Sequence, residues 1–273
     1  MVYFHYIRLR LAALMIVATA MVATVHATEP DSLRTVERQW MFGIGHTNLL
    51  DTYLSMLEYK GPSLSVTHRT ERPAHWGKGR VGVISHYTAQ AALAQSPTED
   101  ARMYDMSVRA MGGLVRQWNP SPRWRLAAGA MAGGAMGLTY NTRNGNNPTQ
   151  ARFEASVDAE LLAEYSFPLF KKTARLRGEL QAPLLGVAFT PRFGQSYYEL
   201  VSLQMRDRNV IFTQPGNAPC VRFAATLEIP LLGARLNIGF LSDVRQSKFH
   251  GIKHHCWQNQ FVVGYTRHLF IRR

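Results

Sequence analysis

The sequence predicts an all-β chain closed into a single antiparallel up-and-down transmembrane β-barrel, ten strands being favoured and twelve the alternative. Three observations carry this. From Arg152 onward, Phe153, Ala155, Val157, Ala159, Leu161, Ala163, Tyr165 and Phe167 alternate with Arg152, Glu154, Ser156, Asp158, Glu160, Leu162, Glu164 and Ser166, polar but for Leu162. A period of two marks a strand with two unlike faces, and this run outlasts a usual globular strand, as a tilted bilayer-spanning strand must. The same pattern then recurs along a chain that opens with an export signal.

That signal is read from Arg8 and Arg10, an apolar stretch from Leu11 to about Val25, and the small-residue end Val25-His26-Ala27. Residues 1–27 are therefore expected to be a cleaved secretory signal, and 28–273 the barrel. No later segment is long and apolar enough for a membrane helix, so a membrane-embedded chain must close as a barrel.

The strands follow in order. Segments 39–47, 63–71 and 80–93 alternate less cleanly. Tyr104, Met106, Val108, Ala110 and Leu114 then pair with Trp124, Leu126, Ala128, Ala130, Met136, Leu138 and Tyr140 across the turn Asn119-Pro120-Ser121-Pro122. The run from Arg152 folds back at Pro168 onto Ala174, Leu176, Leu180, Ala182 and Leu184. Val221, Phe223, Ala225, Leu227 and Ile229 fold back at Pro230 onto Leu236, Ile238, Phe240 and Val244. The last strand carries Trp257, Phe261, Val263, Tyr265, Leu269 and Ile271. Proline fixes φ and donates no hydrogen bond, so it belongs at such corners. Longer connections are expected at 48–61, 94–101, 141–150, 189–218 and 247–255, all at one end, as in outer-membrane barrels. Segment 197–213 is read as an extracellular hairpin within one of them; as two further strands it would give twelve.

Alternation alone also fits a soluble, lipocalin-like barrel with the apolar face inward. Aromatic residues toward strand ends (Trp124, Tyr140, Phe153, Tyr165, Phe167, Trp257 and Tyr265) favour two interfacial girdles and a membrane.

With the apolar face outward, the charges line the lumen. Glu164 is then expected near Arg175 and Glu228 near Arg235, within an ion-pair network that fills the interior. Ala127, Gly129, Gly133, Ala135 and Gly137 leave one inner strand without bulk, either as room for long arginines or as a narrow path. Cys220 and Cys256 fall on the inner face two strands apart, beyond disulfide reach, and are expected as free thiols.

The chain carries 31 Lys+Arg and 18 Asp+Glu, formally +13. Without Arg8 and Arg10 this becomes 29 against 18, or +11. The excess suits membrane phosphates; its spread along strands argues against nucleic acid. The expected partners are outer-membrane lipid, lipopolysaccharide and the barrel-assembly machinery, the last suggested by the aromatic strand 265–270. The ligand is unknown.

There is no Walker loop, nucleophile elbow or HExxH. No cofactor is expected. His250, His254, His255 and Cys256 match no standard metal spacing, and no metal is expected. Ser85 and His68, outward on neighbouring strands, are the only catalytic candidates, for a lipid hydrolase. The loop end is richer: His46, Asn48, Tyr59, Asn141, Arg143, Asn144, Gln195, Tyr197, Glu199, Arg245 and Ser247 are candidate ligand-binding residues or parts of a cap. Three readings follow: a structural or ligand-binding barrel first, with a lipid-modifying enzyme or a narrow channel as alternatives.

Several strings resemble an uncharacterised family of outer-membrane proteins from Bacteroides-type bacteria. They are Gly43-Ile44-Gly45-His46-Thr47-Asn48, Glu58-Tyr59-Lys60-Gly61-Pro62, the run from Tyr140 to Pro148, Phe193-Gly194-Gln195-Ser196-Tyr197-Tyr198-Glu199, and Gln246-Ser247-Lys248 with Gly251-Ile252-Lys253. The resemblance covers nearly all of the mature chain. It implies one outer-membrane barrel and brings no activity or catalytic residue with it.

Overall fold

The computed structural model describes residues 35–270 apart from 78, 170 and 205–207. The expected signal peptide and the terminal Ile271, Arg272 and Arg273 lie outside the described residues.

The elements in order are β1 (Thr35–Asp51), β2 (Ser55–Pro73), β3 (Val81–Gln95), β4 (Arg102–Ser121), β5 (Trp124–Asn141), β6 (Thr149–Leu169), β7 (Lys172–Phe189), α1 (Tyr197–Val201), β8 (Val210–Thr213), β9 (Val221–Leu231), β10 (Ala234–Phe249) and β11 (Ile252–Phe270). Consecutive strands pair antiparallel except β8 and β9; β7 pairs with β9, and β1 pairs with β11 to close the ring. Ten strands form the wall. The short β8 pairs only with the upper end of β7, from Gly186 to Phe189, above the point where the β7–β9 ladder stops at Gln181.

The two faces are the reverse of a soluble barrel. Phe42 is 54% and Ile44 62% exposed on the outside, with Leu64, Val66, Met106, Val108, Phe261 and Val263 around them. Arg69, Arg177, Glu160, Glu164 and Glu228 are buried inside. A water-soluble protein would invert this arrangement, whereas a bilayer requires it. The lipocalin-like alternative is thereby set aside. Aromatic pairs ring the outside near both ends, Trp124 with Tyr165 at 4.9 Å and Tyr104 with Tyr140 at 6.4 Å.

Three expectations need correction. The connection expected at 48–61 is a three-residue turn, because β1 runs to Asp51 and β2 begins at Ser55. The one expected at 247–255 is a two-residue turn at His250 and Gly251, both with positive φ. The strands continue past the apolar belt, where polar residues face out as well as in, so the contrast between faces fades while the ladder persists. The segment 197–213 is not a hairpin. Ser196 and Glu199 form a capping box that starts α1, so the poor alternation there reflects a helical turn followed by the single strand β8.

At the opposite end three of the four connections are two-residue turns, and the fourth, between β2 and β3, spans residues 74–80. Leu232 and Gly233 occupy one of the two-residue turns with φ of 47° and 78°, the mirror-image turn that suits the twist of paired strands.

Candidate functional site

The lower lumen is packed with ion pairs. Arg175 lies 3.0 Å from Glu164, 2.9 Å from Glu37 and 2.6 Å from Glu228. Arg177 bonds Glu37 and lies 2.6 Å from Glu179. Arg69 lies 2.9 Å from Glu71, and Arg125 joins Glu71 to Glu164. The register explains the set: Glu164 stands opposite Arg177, and Arg175 opposite Glu228. The Glu164–Arg175 pair is therefore present as expected. Glu228 is held by Arg175 and not by Arg235, because the tight turn sets Arg235 opposite Pro230. The Arg235 guanidinium instead donates to the Thr173 carbonyl at 3.4 Å.

A second layer follows. Arg222 meets His86 at 2.9 Å and Thr67 at 3.2 Å. Asp158 accepts from Gln181 at 3.0 Å and Arg109 at 3.4 Å. Met41, Ala224, Leu241 and Val262 pack as an apolar plug beside it. The small strand β5 is no open path. A Cβ on Gly137 would meet the Arg152 guanidinium at 3.3 Å, and one on Gly133 would strike the Ala110 carbonyl oxygen at 2.0 Å, with Met111 Sδ at 2.8 Å. The missing bulk is room for Arg152 at Gly137 and close approach of the neighbouring strand at Gly133.

Above these layers lies a small polar chamber, with about 50 Å³ of space for water centres. Arg152, Arg245, Glu154, Ser247, His254 and the two cysteines line it. Arg152 donates to Asp105 at 2.5 Å and Thr139 at 2.6 Å, and lies 3.4 Å from the fully buried Asp51. His254 Nδ1 stands 3.6 Å from Asp51, and the Gln150 amide donates to the same carboxylate. Cys220 and Cys256 are both free thiols. Arg245 stands opposite Cys256 on the neighbouring strand.

Of the loop-end candidates, only Arg245 and Ser247 line this chamber. Most of the others build its cap. Tyr59 accepts from Asn141 at 3.2 Å inside the wall. Arg143 pairs with Asp100 at 2.7 Å on the surface, where hydroxyls of Thr98 and Ser96 hold the Asp100 carboxyl below its usual range. Asn144 donates to the Leu54 carbonyl, and Tyr197 to that of Ala151. Gln195 accepts from Asn209, and Glu199 closes the capping box. The Tyr53 hydroxyl donates to the Gln195 carbonyl at 2.7 Å, and burial pushes its pKa up to about 12. His46 and Asn48 are strand residues on the outer face. Asn48 joins His255 and Glu58 there, away from the chamber. Thus His254 points in while His255 points out. The sequence places Asp51 at the loop end but does not single out Asp105, Thr139 or Arg152 for this site; the inward parity of β4, β5 and β6, carried to the strand tips, is the signal that marks them.

Ser85 and His68 do share the outer face, but Ser85 stands opposite Thr70 and His68 opposite Tyr87. His68 stacks between Trp40 at 4.4 Å and Tyr87 at 6.1 Å. No hydrogen bond joins the serine to the histidine, and among the described residues no carboxylate faces out beside them.

The barrel is similar to solved structures of low identity. The outer membrane protease OmpT from Escherichia coli has 7% identity and a TM-score of 0.49, over 90% of this chain and 99% of that one. The translocator domain of the autotransporter NalP from Neisseria meningitidis has 10% identity and a TM-score of 0.37, over 96% of each chain. Ail, the attachment invasion locus protein of Yersinia pestis, has 10% identity and a TM-score of 0.29, over 84% and 97%. No curated protein sequence matches the chain. A family model described as "Protein of unknown function (DUF3316)" matches residues 9–273, and with its ten-strand closed barrel the chain belongs to that family.

Proposed function

We propose that this is a non-conducting bacterial outer-membrane barrel that binds a small polar ligand in the chamber beneath its loop cap. One observation carries the reading. Buried guanidinium–carboxylate pairs close the lower lumen, while the chamber above keeps room for only a few water-sized groups beside Arg152 and Arg245. The exposed apolar belt and the expected signal support the outer membrane. The aromatic strand β11 supports recognition by the barrel-assembly machinery, and the quoted sequence strings support a Bacteroides-type source.

The lipid-hydrolase reading draws no support from the Ser85–His68 geometry, which lacks a nucleophile–base hydrogen bond and an orienting group. The channel reading meets the same ion pairs as an obstacle.

Two measurements test the proposal. Purified barrel in planar bilayers is expected to show no unitary conductance; discrete openings of wild type would overturn the closed lumen. Because burial pushes the Cys220 thiol pKa up to about 12, the small probe is methylmercury, whose bond to sulfur displaces the proton of a weakly acidic thiol; it is expected to label the half-buried Cys220 in the folded barrel, while a polymer-linked maleimide is excluded. A folded barrel closed to both reagents would remove the chamber as a ligand site.

A further inference from the structure

Two adjacent rows of side chains cross the outer face of β11, β1, β2 and β3 near the short-turn end. The register sets Tyr265, Trp40, His68 and Tyr87 side by side, and below them Arg267, Arg38, Thr70 and Ser85. Above, Val263, Phe42, Val66 and Ala89 continue the apolar belt. Moving toward the rim, hydrocarbon-like surface gives way to rings and then to hydrogen-bond donors.

The lower row contains an electrostatic anomaly. Arg38 and Arg267 are direct cross-strand partners, both exposed, and like charges placed directly opposite destabilise a sheet. Neither pairs with a carboxylate among the described residues. The only described acids that do not face inward are Glu58, Glu99, Asp100 and Glu199, all at the loop end. Arg267 lies over the Tyr265 ring at 5.6 Å, which holds it against the wall. Arg72 adds a third exposed cation on β2, two residues from Thr70. A shallow apolar groove of about 690 Å³ begins at Trp40 and His68, beside this row, and runs past Val66, Ala89, Val108 and Met136.

We propose that this face binds one anionic glycerophospholipid. The phosphodiester sits between Arg38 and Arg267, the Thr70 and Ser85 hydroxyls lie successively further along the row for the glycerol and headgroup oxygens, and an acyl chain lies in the groove. Guanidinium forks and hydroxyls suit phosphate oxygens, and a bound anion relieves the repulsion between the arginines. Short turns mark the periplasmic end of an outer-membrane barrel, so the lipid comes from the inner leaflet and not from lipopolysaccharide. The proposal rests on the membrane-spanning reading. It gives His68 and Ser85 a role in lipid binding without chemistry.

The test uses the full mature barrel in non-ionic detergent, with phosphatidylglycerol as probe and native mass spectrometry as readout. A heat-dependent shift on cold SDS gels confirms folding independently and keeps failure of this proposal distinct from failure of the membrane reading. Arg38→Gln with Arg267→Gln is expected to weaken phosphatidylglycerol binding roughly thirtyfold, from the value of two basic groups at an anionic surface. Arg116→Gln with Arg123→Gln, basic residues elsewhere on the same rim, is expected to leave it unchanged. Without lipid, each single glutamine variant is expected to unfold no more easily than wild type, and phosphatidylglycerol is expected to stabilise wild type but not the double variant. Equal binding by the folded double variant, or an equal loss in the Arg116/Arg123 control, overturns the site. Displacement of the bound lipid by lipopolysaccharide at equal concentration overturns the choice of glycerophospholipid.

Discussion

Arg177 offers the sharpest test of the closed lumen. Its side chain is 1% exposed and meets Glu37, Glu164, Glu179 and Glu228, two of them beyond ordinary hydrogen-bond length at 3.4 and 3.7 Å. The lower network holds five carboxylates (Glu37, Glu71, Glu164, Glu179, Glu228) and four guanidiniums (Arg69, Arg125, Arg175, Arg177). Replacing Arg177 with methionine keeps most of its volume but leaves five negative groups facing three positive ones. Removing one partner of a buried ion pair typically costs about 3–5 kcal/mol, because the remaining charge stays desolvated. At about 1.4 kcal/mol per tenfold, that is a fall of roughly two to three and a half orders of magnitude in the folded-to-unfolded ratio. The assay is urea unfolding in lipid vesicles, followed by loss of the fast-migrating band on cold SDS gels. Glu179→Gln in the Arg177→Met background should recover part of the loss, since it removes one orphaned charge. A variant within about 0.5 kcal/mol of wild type, the scale of a neutral surface change, would refute the reasoning.

Other outcomes follow from local geometry. Gly137→Val should destabilise by about 1–3 kcal/mol in the same assay, because its side chain must push Arg152 away from Asp105. Leu232→Asn should stabilise by about 0.5–1 kcal/mol, since Leu232 is 95% exposed at a positive φ that asparagine tolerates better. The cap should loosen at high pH. The folded Tyr53 pKa, near 12, exceeds the free value of about 10, so the stabilisation is complete below pH 10 and lost as pH rises through 12. Protease cleavage within 190–220 should accelerate across that window, and Tyr53→Phe should remove the pH dependence that this hydroxyl contributes.

The parts of the barrel most legible in the sequence were those with the strongest contrast between faces. The segment from Arg152 to Phe167 gave its strand, its parity and the Glu164–Arg175 pair, because Pro168 fixed the turn and hence the register. Parity also gave the two free thiols. The hairpin at Pro230 points Glu228 toward Arg235, but the tight turn sets Arg235 opposite Pro230 instead. The partner of Glu228 comes from β7, separated in sequence by α1 and β8, and closure of the ring brings it there. The tips of β1, β2, β10 and β11 were hidden for a different reason. Asn48, Lys60, Lys253 and His255 face outward above the membrane belt, so polar residues occupy both faces and the period of two loses its amplitude. The chamber sits at that level, which is why Asp51 and His254 looked like loop residues.

The ladders around the ring are unequal, and this has a mechanical consequence. The first and last strands are zipped from Thr35 through Asp51. The β7–β9 ladder runs only from Arg175 to Gln181, and β8 resumes pairing with β7 at Gly186. Between them, next to the register shift opposite Val157, a few residues of β7 have no ladder partner on that side. The join of the chain ends is therefore as long as the longest ladders of the wall, and the weakest join lies at β7. Lateral opening of the wall toward the bilayer would begin there, beside the chamber and beneath α1, giving a ligand a sideways exit that need not disturb the cap.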